Sequence, residues 1–155
     1  MKQFTNKIIA KWKGKIKMER TLVIIKPEAV KKKLVGKIVS IYEDNRLEII
    51  HSHRITPTLE VLSKHYSEHV GKSFFDELVA YMSSNYAVIM ILEGENVVEI
   101  VRDINGATDP AKSRPGTIRY MFGESLQVNA VHGSESVEAA NKEIDIWKDL
   151  IKYEG

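Results

Sequence analysis

Residues 21–25 constrain the fold more than any other part of the chain, because they contain only threonine, leucine, valine and isoleucine. A short, continuous run of aliphatic and β-branched residues is typical of a strand that is buried on both faces. Lys26 and Pro27 follow, and proline cannot continue a strand ladder but suits the first turn of a helix. The sequence therefore predicts a central strand that leads directly into a helix.

Strand and helix patterns alternate along the rest of the chain. Apolar runs predict further strands at residues 47–53 and 86–92, and a short one that reaches His132. Apolar stripes at helical spacing predict the intervening helices, with Asn45 ending the first and Thr56 and Ser73 as N-caps of the next two. Residues 106–126 have no periodicity and are predicted to form a long functional loop.

This order of elements predicts a fold class. Strand, helix, strand, two helices, strand, helix, loop, strand and helix make two strand–helix–strand halves. The prediction is an α+β fold of ferredoxin-like type, a four-stranded antiparallel sheet covered by helices, which we expect on one face.

Charge divides the chain into two parts. Residues 1–18 contain six lysines and no acid, which leaves 17 basic and 21 acidic residues, a net charge of about −4, in the remainder. A domain with this negative net charge is not expected to bind nucleic acid. A local basic site within it would suit a small anionic ligand. We predict a basic N-terminal extension at 1–18 and a single domain at 19–155.

The extension leaves several interpretations open. Phe4, Ile8, Trp12 and Ile16 recur every four residues between lysines, which fits an amphipathic helix on a membrane surface, a targeting peptide or a disordered tail. The chain has no cysteine, which excludes disulfides and thiolate chemistry, and no apolar run approaches the ~18 residues that span a membrane. We expect a cytoplasmic protein, with organellar or membrane association through the extension as the alternative.

Residues 129–136 contain the candidate nucleophile. His132 precedes Gly133, and Ser134 and Ser136 are both suitable N-caps for the last helix. A helix N-terminus favours an anion, and a histidine beside it is a plausible nucleophile for phosphate. Glu143 on the same helix is the candidate carboxylate to bind one ring nitrogen and leave the other free.

Other residues are candidates for holding a phosphorylated ligand. Lys26, Arg102, Thr108 and Arg119 lie where elements end or within the long loop, and arginine and lysine suit phosphate oxygens. Phe74 suits either stacking on a base or packing in the core.

Two histidine pairs are candidates for metal ligands. His51 and His53 share a strand face, and His65 and His69 share a helix face, but neither pair has a third ligand at a convincing spacing. The sequence therefore does not predict a metal site built from protein side chains.

Taken together, the motifs resemble the nucleoside diphosphate kinase family over residues 19–148. Residues 129–136 are similar to its active-site signature. The other matching segments are Glu19-Arg20-Thr21, Lys26-Pro27-Glu28, His65-Tyr66, Phe74-Phe75, Glu93-Gly94-x-Asn96, Gly106-x-Thr108-x-Pro110-Ala111 and Pro115-Gly116-Thr117-Ile118-Arg119.

The resemblance implies transfer of the γ-phosphate from a nucleoside triphosphate, ATP among them, to a nucleoside diphosphate. The transfer would run by a ping-pong mechanism through a phosphohistidine at His132, with Mg²⁺ bound through the nucleotide phosphates. Glu143 and Ser134 would hold the ring and its phosphoryl group. The resemblance also implies a homo-oligomer, with a hexamer preferred over a tetramer.

The remaining implied site residues bind the nucleotide. Lys26 and Asn129 would reach the ribose, with Lys26 and Tyr66 also counted as catalytic. The phosphates would be held by Arg102, Thr108 and Arg119, and the base by Phe74 and Leu126.

The sequence departs from the family pattern at Tyr120 and Met121, where glycine and a charged residue are usual, and at Glu135, which replaces aspartate. The bulky pair leaves the geometry of the long loop open. The alternative functions are a nucleotide-binding module without turnover and an interaction protein targeted by residues 1–18.

Overall fold

The computed structural model describes residues 18–155, so the predicted extension lies outside the described residues except for Met18. The strands in this range are β1 (Met18–Ile25), β2 (Glu48–Ile55), β3 (Ala87–Glu95) and β4 (Val131–Gly133). The α-helices are α1 (Pro27–Lys31), α2 (Val35–Asp44), α3 (Leu59–His65), α4 (Phe75–Met82), α5 (Val97–Asn105), α6 (Ile118–Phe122) and α7 (Val137–Trp147). Short 3₁₀ turns occupy Ser67–His69 and Pro110–Lys112.

The strands form one antiparallel sheet in the order β2-β3-β1-β4. β1 lies between β3 and β4, and its residues 21–25 are completely buried, as the apolar run predicted. Ile24 pairs with His132, so the candidate nucleophile lies beside the central strand. The α+β class, the antiparallel pairing and the ferredoxin-like architecture are therefore confirmed.

The helices cover both faces of the sheet, and the expectation of one covered face was wrong. Val23 and Ile25 pack in one core with residues of α1, α2 and α5. Leu22 and Ile24 pack in a second core with residues of α3, α4 and α7. Successive side chains of a strand point to opposite faces, so a strand that is apolar at every position needs cover on both.

Two predicted helix starts are displaced. Thr58, not Thr56, caps α3, and its hydroxyl accepts a hydrogen bond from the Val61 N–H at 3.3 Å. Ser73 does not cap α4, because that helix begins at Phe75 with Phe74 at the N-cap position and no side-chain cap.

The region predicted as an unstructured loop, residues 106–126, contains a 3₁₀ turn and α6. Thr117 caps α6 by accepting from the Tyr120 N–H at 3.3 Å. The helix has only five residues, too few to display an apolar period, and this explains why the pattern did not predict it.

Within residues 18–155, no helix has the length and apolar character required to cross a membrane.

Candidate active site

A chain of hydrogen bonds fixes the ring of His132. Its Nε2 lies 2.8 Å from Glu143 Oε1, and the Ser134 hydroxyl donates to that same oxygen at 2.7 Å. Burial opposes ionisation of Glu143, but the hydrogen bond and charge of His132 outweigh it, so the pKa of Glu143 is lowered. A carboxylate at Nε2 keeps the proton on that nitrogen and leaves the lone pair on Nδ1. Within residues 18–155 no hydrogen bond engages Nδ1.

Ser134 has a different local role from the N-cap considered above. Its hydroxyl is fully buried, and its N–H donates to the Leu22 carbonyl at 3.2 Å, which extends the pairing of β1 with β4. Ser136 is the N-cap of α7 and accepts from the Ala139 N–H at 3.0 Å. Ser134 is therefore held by the sheet and aimed at Glu143.

His65 lies against His132, a neighbour that the sequence did not suggest. The two rings meet edge to face with centroids 4.7 Å apart, and the Trp147 indole N–H donates to His65 Nδ1 at 3.0 Å. Burial, followed by repulsion from His132, lowers the pKa of His65 to about 3. His65 is therefore neutral, with its proton on Nε2, because Nδ1 must accept from an indole that can only donate.

The same tautomer argues against a metal centre here. His65, His132 and Glu143 offer ligand atoms within 4.8 Å of one another. A metal ion needs a nitrogen lone pair, whereas His65 uses the lone pair on Nδ1 to accept from Trp147 and carries a proton on Nε2. His69, which the sequence pairs with His65, instead packs against Phe74.

An open cleft of about 1420 Å³ lies in front of His132. It collects the sequence-predicted nucleotide-binding residues: Lys26, Tyr66, Phe74, Arg102, Thr108, Arg119, Leu126 and Asn129. Glu143 and Ser134 lie behind the His132 ring and do not line the cleft. The structure therefore places side chains from distant parts of the sequence around one cavity.

Lys26 and Asn129 form one wall of the cleft. Lys26 Nζ donates to Asn129 Oδ1 at 2.7 Å, and Asn129 Nδ2 donates to the carbonyls of Thr108 and Leu126, each at 3.0 Å. Burial, with a contribution from the charge of Arg119, lowers the pKa of Lys26 to about 8. Lys26 is therefore a cation at pH 7, and it lines the same cleft as His132.

Arg119 is the most constrained cation of the site. Its guanidinium donates to the carbonyls of Gly106 at 2.8 Å and Val131 at 2.7 Å, and burial lowers its pKa. Its Nε is buried without a hydrogen-bond partner in the described part of the chain. Arg102 is more exposed and donates to the Glu135 carbonyl at 3.1 Å. Two arginines thus line the cleft, and guanidinium groups suit phosphate oxygens.

Two exposed apolar side chains also line the cleft. Phe74 is 42% exposed, which excludes the core-packing interpretation, and His69 lies edge-on to its ring at a centroid distance of 5.1 Å. Leu126 is 64% exposed. Exposed apolar side chains on the rim of a polar cleft are suited to stacking on a flat ligand.

Tyr66 lines the cleft, whereas Tyr120 and Met121, the residues of α6 that depart from the family pattern, do not. Tyr66 lines it, and burial raises the pKa of its hydroxyl, which therefore stays protonated. Tyr120 and Met121 are exposed and do not line the cleft.

Known proteins resemble this chain over nearly all its described length. The family model described as nucleoside diphosphate kinase matches residues 19–150. A nucleoside diphosphate kinase of Caldanaerobacter subterraneus subsp. tengcongensis is 51% identical over 130 residues, which cover 84% of this chain and 94% of that protein. One from Thermoanaerobacter sp. is 49% identical, covering 84% and 96%.

Solved structures agree with the sequence comparisons. The nucleoside diphosphate kinase of Aquifex aeolicus superposes with a TM-score of 0.79 at 38% identity, covering 84% of this chain and 94% of that chain. The enzyme of Encephalitozoon cuniculi superposes with a TM-score of 0.80 at 40% identity, covering 83% and 88%.

Proposed function

This chain belongs to the nucleoside diphosphate kinase family, a family of nucleotide phosphotransferases, and from that premise we propose a ping-pong reaction through a phosphohistidine at His132. The proposal rests on the hydrogen bonding of the His132 ring. Glu143 engages Nε2 at 2.8 Å, and Nδ1 is the nitrogen left with a lone pair. We assign the catalytic domain to residues 19–155.

In the first half-reaction, the Nδ1 lone pair attacks the γ-phosphorus of a bound nucleoside triphosphate. The N–P bond forms as the bond to the bridging oxygen breaks, and the nucleoside diphosphate leaves with that electron pair. The ring becomes cationic, and the Glu143 carboxylate stabilises it through Nε2–H. In the second half-reaction, a terminal phosphate oxygen of another diphosphate attacks the same phosphorus; the N–P bond breaks, and its electron pair returns to Nδ1 as the lone pair.

Phosphoryl transfer depends mainly on positioning and on neutralising charge. Arg102, Thr108 and Arg119 would hold the phosphates, and their place in the lining of the cleft supports this role. Lys26 would place its charge near the transferred group. Tyr66, with its protonated hydroxyl, would add a hydrogen-bond donor.

The rest of the nucleotide would lie towards the rim of the cleft. Asn129 and Lys26 would contact the ribose hydroxyls. Phe74 and Leu126 would enclose the base through apolar contact alone, which would accept purines and pyrimidines alike.

Magnesium fits this site through the nucleotide and not through the protein. Lys26, Arg102, Thr108 and Arg119 supply donors that suit phosphate, while the carboxylates that line the same cleft are Glu19, Glu99, Asp103 and Glu135. Mg²⁺ prefers phosphate and water oxygens and would enter with the nucleotide. Bound in this way, Mg²⁺ would neutralise phosphate charge.

We also propose a homo-oligomer, a hexamer in preference to a tetramer. β2 forms an edge of the sheet and pairs only with β3 within the described residues, so its outer side is available to a second copy. Sedimentation equilibrium measures the number of chains directly.

The decisive experiment incubates the wild type and His132→Ala with [γ-³²P]ATP and Mg²⁺. We expect an acid-labile, alkali-stable protein phosphate in the wild type alone. GDP or CDP added afterwards should remove the label and become a labelled triphosphate. Nucleotide binding without a labelled protein would instead establish the binding-module alternative.

A further inference from the structure

Ala130, two residues before His132, has an unusual backbone. Its φ is +74°, a conformation that residues with a Cβ rarely adopt, and it is completely buried. The Val131 N–H donates to the Asn129 carbonyl at 2.9 Å, which closes a three-residue turn around Ala130. A turn of this type with positive φ is rare and strained. Such a conformation persists only where its surroundings hold it.

The surroundings that hold Ala130 come from the start of α1. The Ala130 N–H donates to Glu28 Oε1 at 2.7 Å, and its carbonyl accepts from the Lys26 N–H at 2.8 Å. Glu28 Oε2 accepts a hydrogen bond from the Tyr81 hydroxyl of α4. Burial and the neighbouring Glu28 raise the pKa of Tyr81, so its hydroxyl remains a donor. The carboxylate therefore joins the strained turn to a helix on the opposite face of the sheet.

The turn is connected to both reacting parts of the site. Val131, which follows it, accepts from the Arg119 guanidinium at 2.7 Å and precedes His132. A relaxed turn would move the nucleophile and the anchor of the phosphate-binding arginine together. A displacement of about 1 Å at a reacting group costs on the order of a hundredfold in rate.

We propose that Glu28, supported by Tyr81, is a positioning residue that keeps Ala130 in its left-handed conformation and thereby sets His132 against the bound phosphates. This inference rests on the proposed function, because it concerns the distance between the nucleophile and the γ-phosphate. It adds roles for two residues, Glu28 and Tyr81, that do not line the cleft and whose side-chain hydrogen bonds go to each other and to the Ala130 N–H.

A purely structural role for Glu28 makes a different prediction. Glu28 lies in the first turn of α1, where a negative charge stabilises the helix N-terminus. Losing that effect alone would lower the amount of folded protein. It would leave the rate constant of each folded molecule unchanged.

Single-turnover phosphorylation separates these roles, because the rate constant reports positioning and the amplitude reports the folded fraction. Saturating [γ-³²P]ATP and Mg²⁺ are mixed with the wild type, E28A, E28Q, A130G and E28A/A130G in a quench-flow instrument. Glu43→Ala, which removes an exposed glutamate of α2, is the matched control. Amide exchange at Ala130, followed by NMR without nucleotide, reports the contact itself.

We expect E28A to lower the rate constant by about tenfold or more. E28A/A130G should recover it by roughly threefold or more, because glycine adopts positive φ without cost. E28Q, which retains a carbonyl oxygen for the Ala130 N–H, should stay within about threefold of the wild type. The Ala130 amide should exchange faster in E28A than in the wild type.

Three results would overturn the inference: an E28A rate constant equal to that of the wild type, a loss confined to the amplitude, or an equal loss in E28A and E28A/A130G. If E28A does not fold, Y81F and Y81F/A130G are judged by the same criteria. An unlabelled wild type would refute the proposed function and the inference together, whereas normal labelling of both wild type and E28A would refute the inference alone.

Discussion

Replacing Glu143 with glutamine separates the charge of this side chain from its hydrogen bonds. One oxygen, Oε1, serves both His132 at 2.8 Å and the Ser134 hydroxyl at 2.7 Å. The carbonyl oxygen of glutamine can take the same place and accept from both donors. Glu143→Gln therefore keeps the ring orientation and removes the negative charge that faces it.

The expected loss of rate depends on how much more strongly a charged carboxylate than a neutral amide stabilises the cationic ring of His132. Hydrogen bonds to charged groups contribute about 1.5–3 kcal/mol and neutral ones about 0.5–1.5 kcal/mol. The difference, about 1–2 kcal/mol, is felt mainly after the ring has become cationic, in the transition state and the phosphoenzyme. It corresponds to a decrease of roughly five- to thirtyfold in the rate constant of phosphorylation.

Quench-flow measurement with [γ-³²P]ATP gives this rate constant directly. Glu143→Ala is the matched comparison, since it removes the hydrogen bonds as well and should be slower than Glu143→Gln. A Glu143→Gln rate constant within about twofold of the wild type would refute the electrostatic role assigned to the carboxylate.

Further predictions concern other parts of the site. Since the pKa of Lys26 is lowered to about 8, kcat/KM should fall as the pH rises through about 8 and Lys26 loses its charge. A kcat/KM that does not change in this pH range would contradict this prediction. The same fall of kcat/KM in Lys26→Met would contradict it too. Trp147→Phe leaves His65 Nδ1 buried without a donor, so urea unfolding at fixed protein concentration should report a loss of about 1–3 kcal/mol, and an unchanged midpoint would contradict the tautomer argument. Phe74→Ala should weaken ADP, GDP and CDP alike by about 1–3 kcal/mol in calorimetric titrations, and a loss for one base only would contradict simple stacking. The pKa of Glu143 is lowered on folding, so its contribution to stability is present above its ordinary pKa of 4.5 and is lost as pH falls; the unfolding midpoint of Glu143→Gln should lack this acid dependence.

The central strands followed from local patterns because the second half of β1 and most of β3 are continuous apolar runs. The apolar character of residues 21–25 predicted both the central position of β1 and the complete burial of those five residues. The same run implied cover on both faces, and the one-face expectation failed because it came from the order of elements and not from the strand pattern. Thr56 failed as a cap because Thr58 stands on the other side of Pro57, and composition alone does not choose between them.

The family motifs named residues that the structure gathers around one cleft, but they did not name the tertiary contacts of the candidate site. His65 and Trp147 are 82 positions apart, and no local sequence pattern predicts the hydrogen bond between them. Glu28 lies in a matching segment, but its contact with Ala130 spans 102 positions. The positive φ of Ala130 has no sequence signature, because alanine carries none of the usual preference for that region.

The pairing of Ile24 with His132 has a consequence for how the protein is made. The two strands that hold the candidate nucleophile are separated by nearly the whole domain, so their contact closes one of the longest loops available to the chain. During synthesis, the edge of β1 that pairs with β4 stays unpaired until β4 has been made. In that interval the exposed edge of β1 can aggregate or bind chaperones. The candidate active site is therefore among the last parts of the molecule to assemble, and fragments that stop short of α7 should have no partial activity.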